Sequence, residues 1–458
     1  MTSPTAVDEQ ALRRLRAPFE HACETAFARL RAGEFAGVWY EAERSGFVRL
    51  NRARLRQAGT VERPVATLRL VRGARQASHA LTLSGRADSD ARAVAEAVGA
   101  LRAALDDACD DPHLLLARGP ARSVQHGPQR ADDALDIAAR LSAAARDLDL
   151  VGFVASGPLA RGFASATAAG LEASHWLDAA GAHVDFSVHR DADRAVKAQL
   201  SGARIGDDAI EAALARVARQ AEWLARPPVR VDAGEHRALL APAAVGELLG
   251  MLQWGGFSLR AQRTRASPLA RLHDGHDALD ARVALDEAPL AWNAPRFGAD
   301  GFVMPERVAL VESGRSAGLL VSARSEREFG VPHNGAPESE SPGSMRLSPG
   351  DLREEDGLRA LGTGLWVGNL WYLNWSDRAG ARLTGMTRFA TLWVRDGRVV
   401  GPVEPLRFDD SVYRMLGGSL EALGARAEDL PDASTYDGRA TGGVSAPAAL
   451  LARLRIVS

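Results

Sequence analysis

The sequence predicts an α+β protein: an N-terminal α/β domain with a mixed or antiparallel sheet and helices, then a C-terminal β-rich, barrel-like domain. One observation is that apolar residues recur every three or four positions in a few stretches, as in amphipathic helices. Another is that many short runs between these stretches alternate apolar and polar residues and are bounded by turn residues, as strands are. A length of 458 residues further favours two or more domains.

In the first half, the helical spacing predicts helices at residues 12–30, 90–108, 132–148 and 207–225. Residues 111–131, rich in proline, glycine and polar side chains, are predicted to be a linker. Strands are predicted between the helices, the last five of them as an antiparallel meander, at residues 38–41, 46–51, 65–71, 77–83, 151–156, 162–167, 171–177, 182–189 and 195–200. Pro227-Pro228 ends the last helix. We place the domain boundary there, which gives domains 1–226 and 227–458.

In the second half, a strand at residues 237–241 leads into a helix at 242–252, and strands at 307–312 and 318–322 form a hairpin. A second hairpin pairs residues 388–394 with 398–403 around Asp396-Gly397. Asp-Gly favours a type I′ turn because both residues tolerate positive φ. A helix at 411–423 is predicted to pack beside this hairpin.

Composition and charge limit the class of protein. A formal net charge of −2 gives no general attraction to nucleic acid. Lys197 is the single lysine among 56 basic residues, which we attribute to the base composition of the genome. Cys23 and Cys109 do not form a disulfide framework. With no apolar signal core and no run near ~18 apolar residues, we expect a cytoplasmic protein without a membrane partner.

The densest aromatic stretch of the chain lies between Gly364 and Asp377. Its aromatic rings and amides could line a peptide-binding cleft, because rings give contact area and amides pair with backbone groups. The alternative is that the rings form the core of a sheet, and strand alternation sends some of them inward in either case. The candidate peptide-binding residues are Trp366, Asn369, Trp371, Tyr372, Asn374 and Trp375.

Several motifs around this stretch resemble the C-terminal half of the TldD/PmbA (TldD/TldE) family. They are Pro342–Gly350, Gly364–Val367, a glycine-rich link at 380–385, and Arg395–Glu404. The order of elements is similar to that of the family over nearly the entire chain. The resemblance implies a zinc metalloprotease subunit paired with a related subunit that lacks the metal site.

The resemblance also implies where zinc would be held. A TldD-type subunit carries a His-Glu-x-x-x-His helix and a C-terminal cysteine ligand, and two histidines one helical turn apart can bind one metal. The corresponding helix here, residues 242–252, has Glu247 but no histidine, and no cysteine follows Cys109. We therefore expect no metal ligand and no catalytic residue in this chain, and zinc only in a TldD-type partner.

Two other groups of polar residues are candidate sites. His273, Asp274, His276 and Asp277 could hold a surface metal, but Gly275 breaks the helical spacing, so a solvated loop is expected. His183, Asp185, Ser187 and His189 alternate along one strand and are expected to form its solvent-facing side. His183 and His189 would lie ~20 Å apart in a strand, too far for a catalytic triad on their own. Gly362-Thr363-Gly364 lacks the context of a nucleotide-binding motif.

The sequence therefore supports a zinc-less TldE/PmbA-like subunit of a TldD/TldE-type metalloprotease system, not an enzyme by itself. It would form a dimer with a TldD-type catalytic subunit and support the proteolysis or processing of unfolded or modified peptides. One alternative is an independent peptidase or peptide-modifying enzyme whose site uses the histidine groups above. The other is a homodimeric peptide-binding protein without catalysis.

Overall fold

The structure, a computed structural model, describes residues 9–191, 194–435 and 438–457. Its first half contains one sheet and the helices packed on it. The helices are α1 (Glu9–Phe27), α2 (Ala87–Asp107), α3 (Ala134–Ala144) and α4 (Asp207–Leu224). The strands are β1 (Glu34–Asn51), β2 (Arg54–Arg72), β3 (Arg75–Thr82), β4 (Ala121–His126), β5 (Asp149–Thr167), β6 (Gly170–His189) and β7 (Ala195–Gly202).

The first sheet has the strand order β3-β2-β1-β5-β6-β4, and β7 also pairs with β6. All of its pairs are antiparallel except β4 with β6. The even-numbered residues of β1 named next are buried between the sheet and its helices, and they show how the core of this half forms. Val38 and Tyr40 pack with residues of α1 and α2, whereas Val48 and Leu50, further along the strand, pack with residues of α3. The periodicity predictions for these helices are confirmed to within a few residues of their ends.

The strand predictions in this half were wrong in number. The runs 38–41 and 46–51 form the single strand β1, and the four runs from 151 to 189 form the two long strands β5 and β6. Gly157, which falls between two of the predicted strands, lies inside β5. Gly157 has φ +150°, and a Cβ there would lie 2.1 Å from the carbonyl oxygen of Arg44 on β1, so glycine allows the strands to approach closely. The predicted linker at 111–131 also contains a strand, β4.

The second half is built around a larger sheet. Its strands are β8 (Gly234–Leu240), β9 (Leu285–Glu287), β10 (Val308–Glu312), β11 (Arg315–Ser316), β12 (Ser344–Leu347), β13 (Gly364–Asp377), β14 (Arg382–Arg395), β15 (Arg398–Pro402), β16 (Arg407–Ser411), β17 (Leu420–Pro431) and β18 (Gly443–Ile456). Its helices are short: α5 (Pro242–Gly250), α6 (Leu259–Arg263), α7 (Ala270–His273), α8 (Ala323–Phe329) and α9 (Gly357–Leu361).

Part of this second sheet closes on itself. The strands β8, β13, β14, β16 and β18 pair in that order, and β18 pairs back with β8, which makes a ring. Helix α5 follows β8 directly and packs against β13 and β18, with Val245, Leu248 and Leu249 fully buried. The fold is therefore α+β, as predicted, and the barrel-like part is this ring.

Two sequence predictions near the ring have opposite outcomes. The Asp396-Gly397 hairpin is confirmed: β14 pairs with β15, and both turn residues have positive φ (48° and 73°). The helix predicted at 411–423 was wrong, because a π-helical turn, Arg414–Gly418, leads directly into strand β17. Gly417 has φ −123° and ψ −112°, so the helical path stops there, and residues after it pair with β18. No helix in the described ranges is both long and apolar enough to cross a membrane.

Candidate functional site

A cavity of about 1370 Å³ lies between the two halves of the chain. Residues of β7 and α4 line it on one side, and residues of α5, β13, β17 and β18 line it on the other. Trp366, Leu239 and Ala390 form part of an apolar wall. Charged and polar side chains make up much of the rest of the lining. The cavity is larger than a typical small-molecule pocket of roughly 300–1,000 Å³, so it has room for a peptide.

Helix α5 places one carboxyl group in this cavity. The helix begins at Pro242, whose fixed φ suits the first helical turn. Its apolar residues face the ring, which leaves Ala243, Gly246 and Glu247 on the cavity side. The Oε1 atom of Glu247 accepts a hydrogen bond from Asn369 Nδ2 (3.1 Å), and Oε2 accepts one from the backbone N–H of Leu370. The carboxyl group is therefore held between α5 and β13.

Burial raises the pKa of Glu247 to about 7. The hydrogen bonds from Leu370 and Asn369, and the nearby charge of Lys197, act in the opposite direction but do not outweigh it. A carboxyl group in this state exchanges its proton near neutral pH, which is common for groups in functional clefts.

We expect this carboxyl group to make stability depend on pH. In the unfolded chain Glu247 titrates near 4.5, and in the folded chain near 7, so folded wild-type protein loses stability as pH rises between these values. Glu247→Gln removes this titration. Unfolding by urea at pH 5 and pH 8 should show a loss of stability in wild type that exceeds the loss in the variant by about 2 kcal/mol. Equal losses in the two proteins would contradict the assignment.

On the opposite side of the cavity, β6 and β7 contribute a polar cluster. Lys197 Nζ lies 2.9 Å from Asp185 Oδ2, and Gln199 Nε2 donates a hydrogen bond to the same oxygen at 2.7 Å. Lys197 and Gln199 line the cavity. The single lysine of the chain is therefore placed at the candidate site and paired with a carboxylate.

The expectation that His183, Asp185, Ser187 and His189 face solvent is wrong for His183. Its exposed fraction is 8%, because residues 431–435 and 439–440 cover it and leave a cavity of only about 80 Å³. Burial lowers the pKa of His183, which favours the neutral ring. His189 instead forms a hydrogen bond with Ser187, with 3.1 Å between His189 Nε2 and Ser187 Oγ. These polar residues of β6 therefore belong to two separate environments and form no catalytic triad.

Arg439 connects the cavity wall to the first sheet. Its guanidinium donates hydrogen bonds to the carbonyl oxygens of Gly157 (3.0 Å) and Gly181 (2.7 Å) and to Ser45 Oγ (3.1 Å). Its backbone N–H donates to Glu43 Oε2 at 3.1 Å. Desolvation lowers the pKa of Arg439 to about 10. The neighbouring residues Ala440, Thr441 and Gly442 line the cavity, so this contact fixes part of its wall.

The structure divides the six candidate residues of β13 into three groups. Trp366 and Asn369 line the cavity. Trp371 and Tyr372 lie outside it with exposed fractions of 44% and 69%, and Asn374 is also exposed. Trp375 packs against the core of the second sheet.

The exposed rings contact each other and an arginine, and we call these three residues the aromatic patch (Trp371, Tyr372 and Arg388). The two ring centroids are 4.0 Å apart, and the guanidinium carbon of Arg388 lies 3.8 Å from the Trp371 ring centroid. Tyr372 has φ +51°, at an irregularity in the pairing of β13 with β14. The kink places neighbouring rings on the same outer surface.

The expectation of a solvated loop holds for Asp274 and His276, which are exposed, and is wrong for His273. His273 ends α7, and both of its ring nitrogens are in hydrogen bonds, Nδ1 with Ser316 Oγ and Nε2 with the carbonyl oxygen of Gly256, each at 2.7 Å. In the described parts of the chain, no three His, Cys, Asp or Glu side chains lie close enough together to hold a metal ion.

Two site residues were missed or undervalued in the sequence. Glu247 was considered only as a metal ligand, and Lys197 only as a sign of base composition. The available signal for Lys197 was its isolation among arginines, since lysine and arginine are not interchangeable in a site. No signal in the sequence brings β7 and α5 to one cavity.

Comparison with known proteins identifies the family to which this architecture belongs. Residues 233–458 match the family model of the PmbA/TldA metallopeptidase C-terminal domain. This match defines the second half as a metallopeptidase-type domain. The chain belongs to the TldD/PmbA family, and the resemblance inferred from its motifs is confirmed. A search of curated proteins finds no match.

Solved structures show the same fold over nearly the whole chain. The crystal structure of TldE from Thermococcus kodakarensis has a TM-score of 0.77 and 14% identity, covering 96% of this chain and 100% of that chain. A putative modulator of a DNA gyrase from Thermotoga maritima has a TM-score of 0.70 and 14% identity, with coverage of 96% and 100%. A putative modulator of DNA gyrase from Bacteroides thetaiotaomicron has a TM-score of 0.69 and 14% identity, with coverage of 99% and 100%. At this identity, these likenesses show the fold alone.

The residues of this chain do not fit the zinc site that the resemblance associates with a TldD-type subunit. Helix α5 has no histidine, and both oxygens of Glu247 already accept hydrogen bonds from Asn369 and Leu370. Zinc needs several nitrogen, sulfur or carboxylate ligands at about 2.0–2.3 Å. One carboxyl group between a helix and a strand does not supply them.

Proposed function

We propose that the chain is a zinc-less subunit of the TldE/PmbA type, which binds peptides and supports their hydrolysis by a TldD-type catalytic partner. The observation that supports this most is the combination of a cavity of about 1370 Å³ with a helix, α5, that has no histidine. Such a chain has room for a substrate but lacks a family-type metal centre. Zinc would be held by the partner.

The cavity has the properties expected of a peptide site. Trp366 and Leu239 provide apolar surface for side chains, while Asn369 and Glu247 provide polar groups at fixed positions. Peptides bind through a few anchored polar groups and apolar pockets for alternate side chains. The substrates would be unfolded or modified peptides, because an extended chain fits between the two halves more readily than a folded domain.

The aromatic patch is the surface we assign to the partner. Tryptophan, tyrosine and arginine are the residues most enriched among those that dominate binding energy in protein interfaces. Here one of each lies in contact with the next on an exposed surface of β13 and β14. The patch lies outside the cavity, so partner contact and peptide binding would use different residues of the same strand.

We expect Trp371→Ala or Tyr372→Ala to weaken assembly with the partner at least 30-fold, the effect of losing about 2 kcal/mol at an interface hot spot. Sedimentation velocity of a one-to-one mixture with a TldD-type protein encoded by the same genome measures this. Trp254→Ala is a matched control, because Trp254 is 58% exposed and lies outside the patch. Unchanged assembly in both patch variants, with folding intact, would remove the patch from the interface. Association of the isolated chain with itself would favour the homodimeric alternative.

The independent-enzyme alternative depends on the two histidine groups. Both ring nitrogens of His273 are in hydrogen bonds to other residues of the chain. His183 is buried, and burial lowers its pKa and favours the neutral ring. Neither group opens into the large cavity. This arrangement favours the non-catalytic subunit over a separate active site.

A further inference from the structure

The carboxyl group of Glu247 is placed to accept a hydrogen bond from a molecule bound in the cavity. Asn369 Nδ2 and the Leu370 N–H each supply one hydrogen bond, one to each oxygen. A carboxylate has about four acceptor positions on its two oxygens, so acceptor positions remain. Since Glu247 lines the cavity and is half-buried, a bound molecule can reach them.

Glu247 also lacks a counter-ion within the described residues, where it forms no ion pair. The nearby cation, Lys197, is already paired with Asp185 at 2.9 Å. Arg216, another basic residue of the cavity lining, is paired with Glu428 at 2.8 Å. A positive charge on the ligand would therefore supply a partner that the chain itself does not provide.

The surroundings of Glu247 favour a compact cation. Ala243 lies beside it on α5 with a small side chain and also lines the cavity. At Gly246 the side chain of Leu430 fills the position that a Cβ would take, so the room beside the carboxyl group is limited. Trp366 and Leu239 in the apolar wall lower the local dielectric, which strengthens a charge-assisted hydrogen bond. A primary ammonium group carries its charge at one atom and has three donors, so it fits beside a carboxylate that is already held from one side.

From this geometry we infer that Glu247 binds a primary ammonium group of the peptide, either its N terminus or a lysine side chain. The inference deepens the proposed function and rests on it, since it names the group by which the cavity holds a peptide. Glu247 is a binding residue in this assignment and takes part in no bond-breaking step.

The protonation of Glu247 gives the site a direction of pH dependence. Its pKa is raised to about 7 by burial, and Lys197 on β7 is the charged group that opposes this shift. From β13, Asn369 and Leu370 contribute neutral donors. Below pH 7 the carboxyl group is mostly protonated and an ammonium ligand must displace the proton. Affinity for the ammonium group should therefore rise between about pH 6 and pH 8.

The test uses three unstructured decapeptides of glycine, alanine and serine with fluorescein at the C terminus. The first has a free N terminus, the second is acetylated, and the third is acetylated and contains one internal lysine. Fluorescence anisotropy at pH 8 with the full chain should show the first or third peptide, or both, binding at least tenfold tighter than the second. Their relative affinities tell which source of ammonium is preferred.

Glu247→Gln should abolish this preference, so that all three peptides bind with similar affinity. Its circular dichroism spectrum should match that of the wild-type chain, which shows that the variant is folded. Glu354→Gln is the matched control, because Glu354 is an exposed carboxylate at the mouth of the same cavity and should keep the preference. Equal binding of all three peptides, or a preference that survives Glu247→Gln, overturns the ammonium assignment alone. No binding of any peptide, by the chain or by its complex with the partner, overturns the proposed function together with this inference.

Discussion

Replacing Arg439 with alanine is expected to destabilise the folded chain by about 3 kcal/mol, because it removes three hydrogen bonds between the cavity wall and the first sheet. The carbonyl oxygens of Gly157 and Gly181 would lose their charged donor. Urea unfolding measures the loss. Peptide binding should weaken as well, since Ala440, Thr441 and Gly442 line the cavity.

Two further variants define the cause of this effect. Arg439→Lys keeps the charge but cannot span three acceptors, so it should recover only part of the stability. Arg426→Ala is a matched control, since Arg426 is an exposed arginine in the same cavity lining, and it should change stability by less than about 0.5 kcal/mol. If Arg439→Ala is as stable as Arg426→Ala, the contact with the first sheet does not hold the cavity wall.

Replacing Glu340 with alanine is expected to cost about 4 kcal/mol. This buried carboxylate accepts hydrogen bonds from Ser258 Oγ (2.6 Å) and the Arg260 N–H (2.8 Å), and from the N–H (2.8 Å) and Oγ (2.9 Å) of Ser322. Ser258 and Ser322 are the N-caps of α6 and α8. The change would leave donors at the starts of two helices without their acceptor.

The neighbouring Glu338 gives a matched control for this change, because its side chain is exposed. Glu338→Ala should shift the midpoint of thermal unfolding by a degree or two at most, whereas Glu340→Ala should lower it by many degrees. Similar midpoints for the two variants would show that the Glu340 network does not stabilise this region.

Local patterns predicted the parts of the fold that depend on neighbouring residues. The turn at Asp396-Gly397 follows from two adjacent residues that tolerate positive φ, and α2 and α4 follow from their apolar stripes. Gly157 shows where local patterns fail, because its place inside β5 depends on contact with Arg44 in a distant segment. The helix expected at 411–423 failed for a similar reason, since pairing with β18 outweighs the apolar spacing.

The candidate site was predictable only in part. Trp366 and Asn369 were proposed from the aromatic stretch, and the structure places both at the cavity. Strand alternation could not show that Trp371 and Tyr372 lie together on the outer surface, because an irregularity in β13 breaks the alternation there. The placement of Lys197 and Glu247 in one cavity depends on how the two halves of the chain pack, which no local pattern encodes.

The central claim is that this chain supplies a peptide-binding cavity to a catalytic partner and does not cleave peptides itself. The most direct test measures the cleavage of an unstructured peptide by the pure chain, by a TldD-type protein encoded by the same genome, and by their one-to-one mixture. The account predicts no cleavage by the chain alone, with or without added zinc, and cleavage by the mixture that exceeds that of the partner alone and stops on addition of a chelator. Chelator-sensitive cleavage by the rigorously purified chain alone would contradict it.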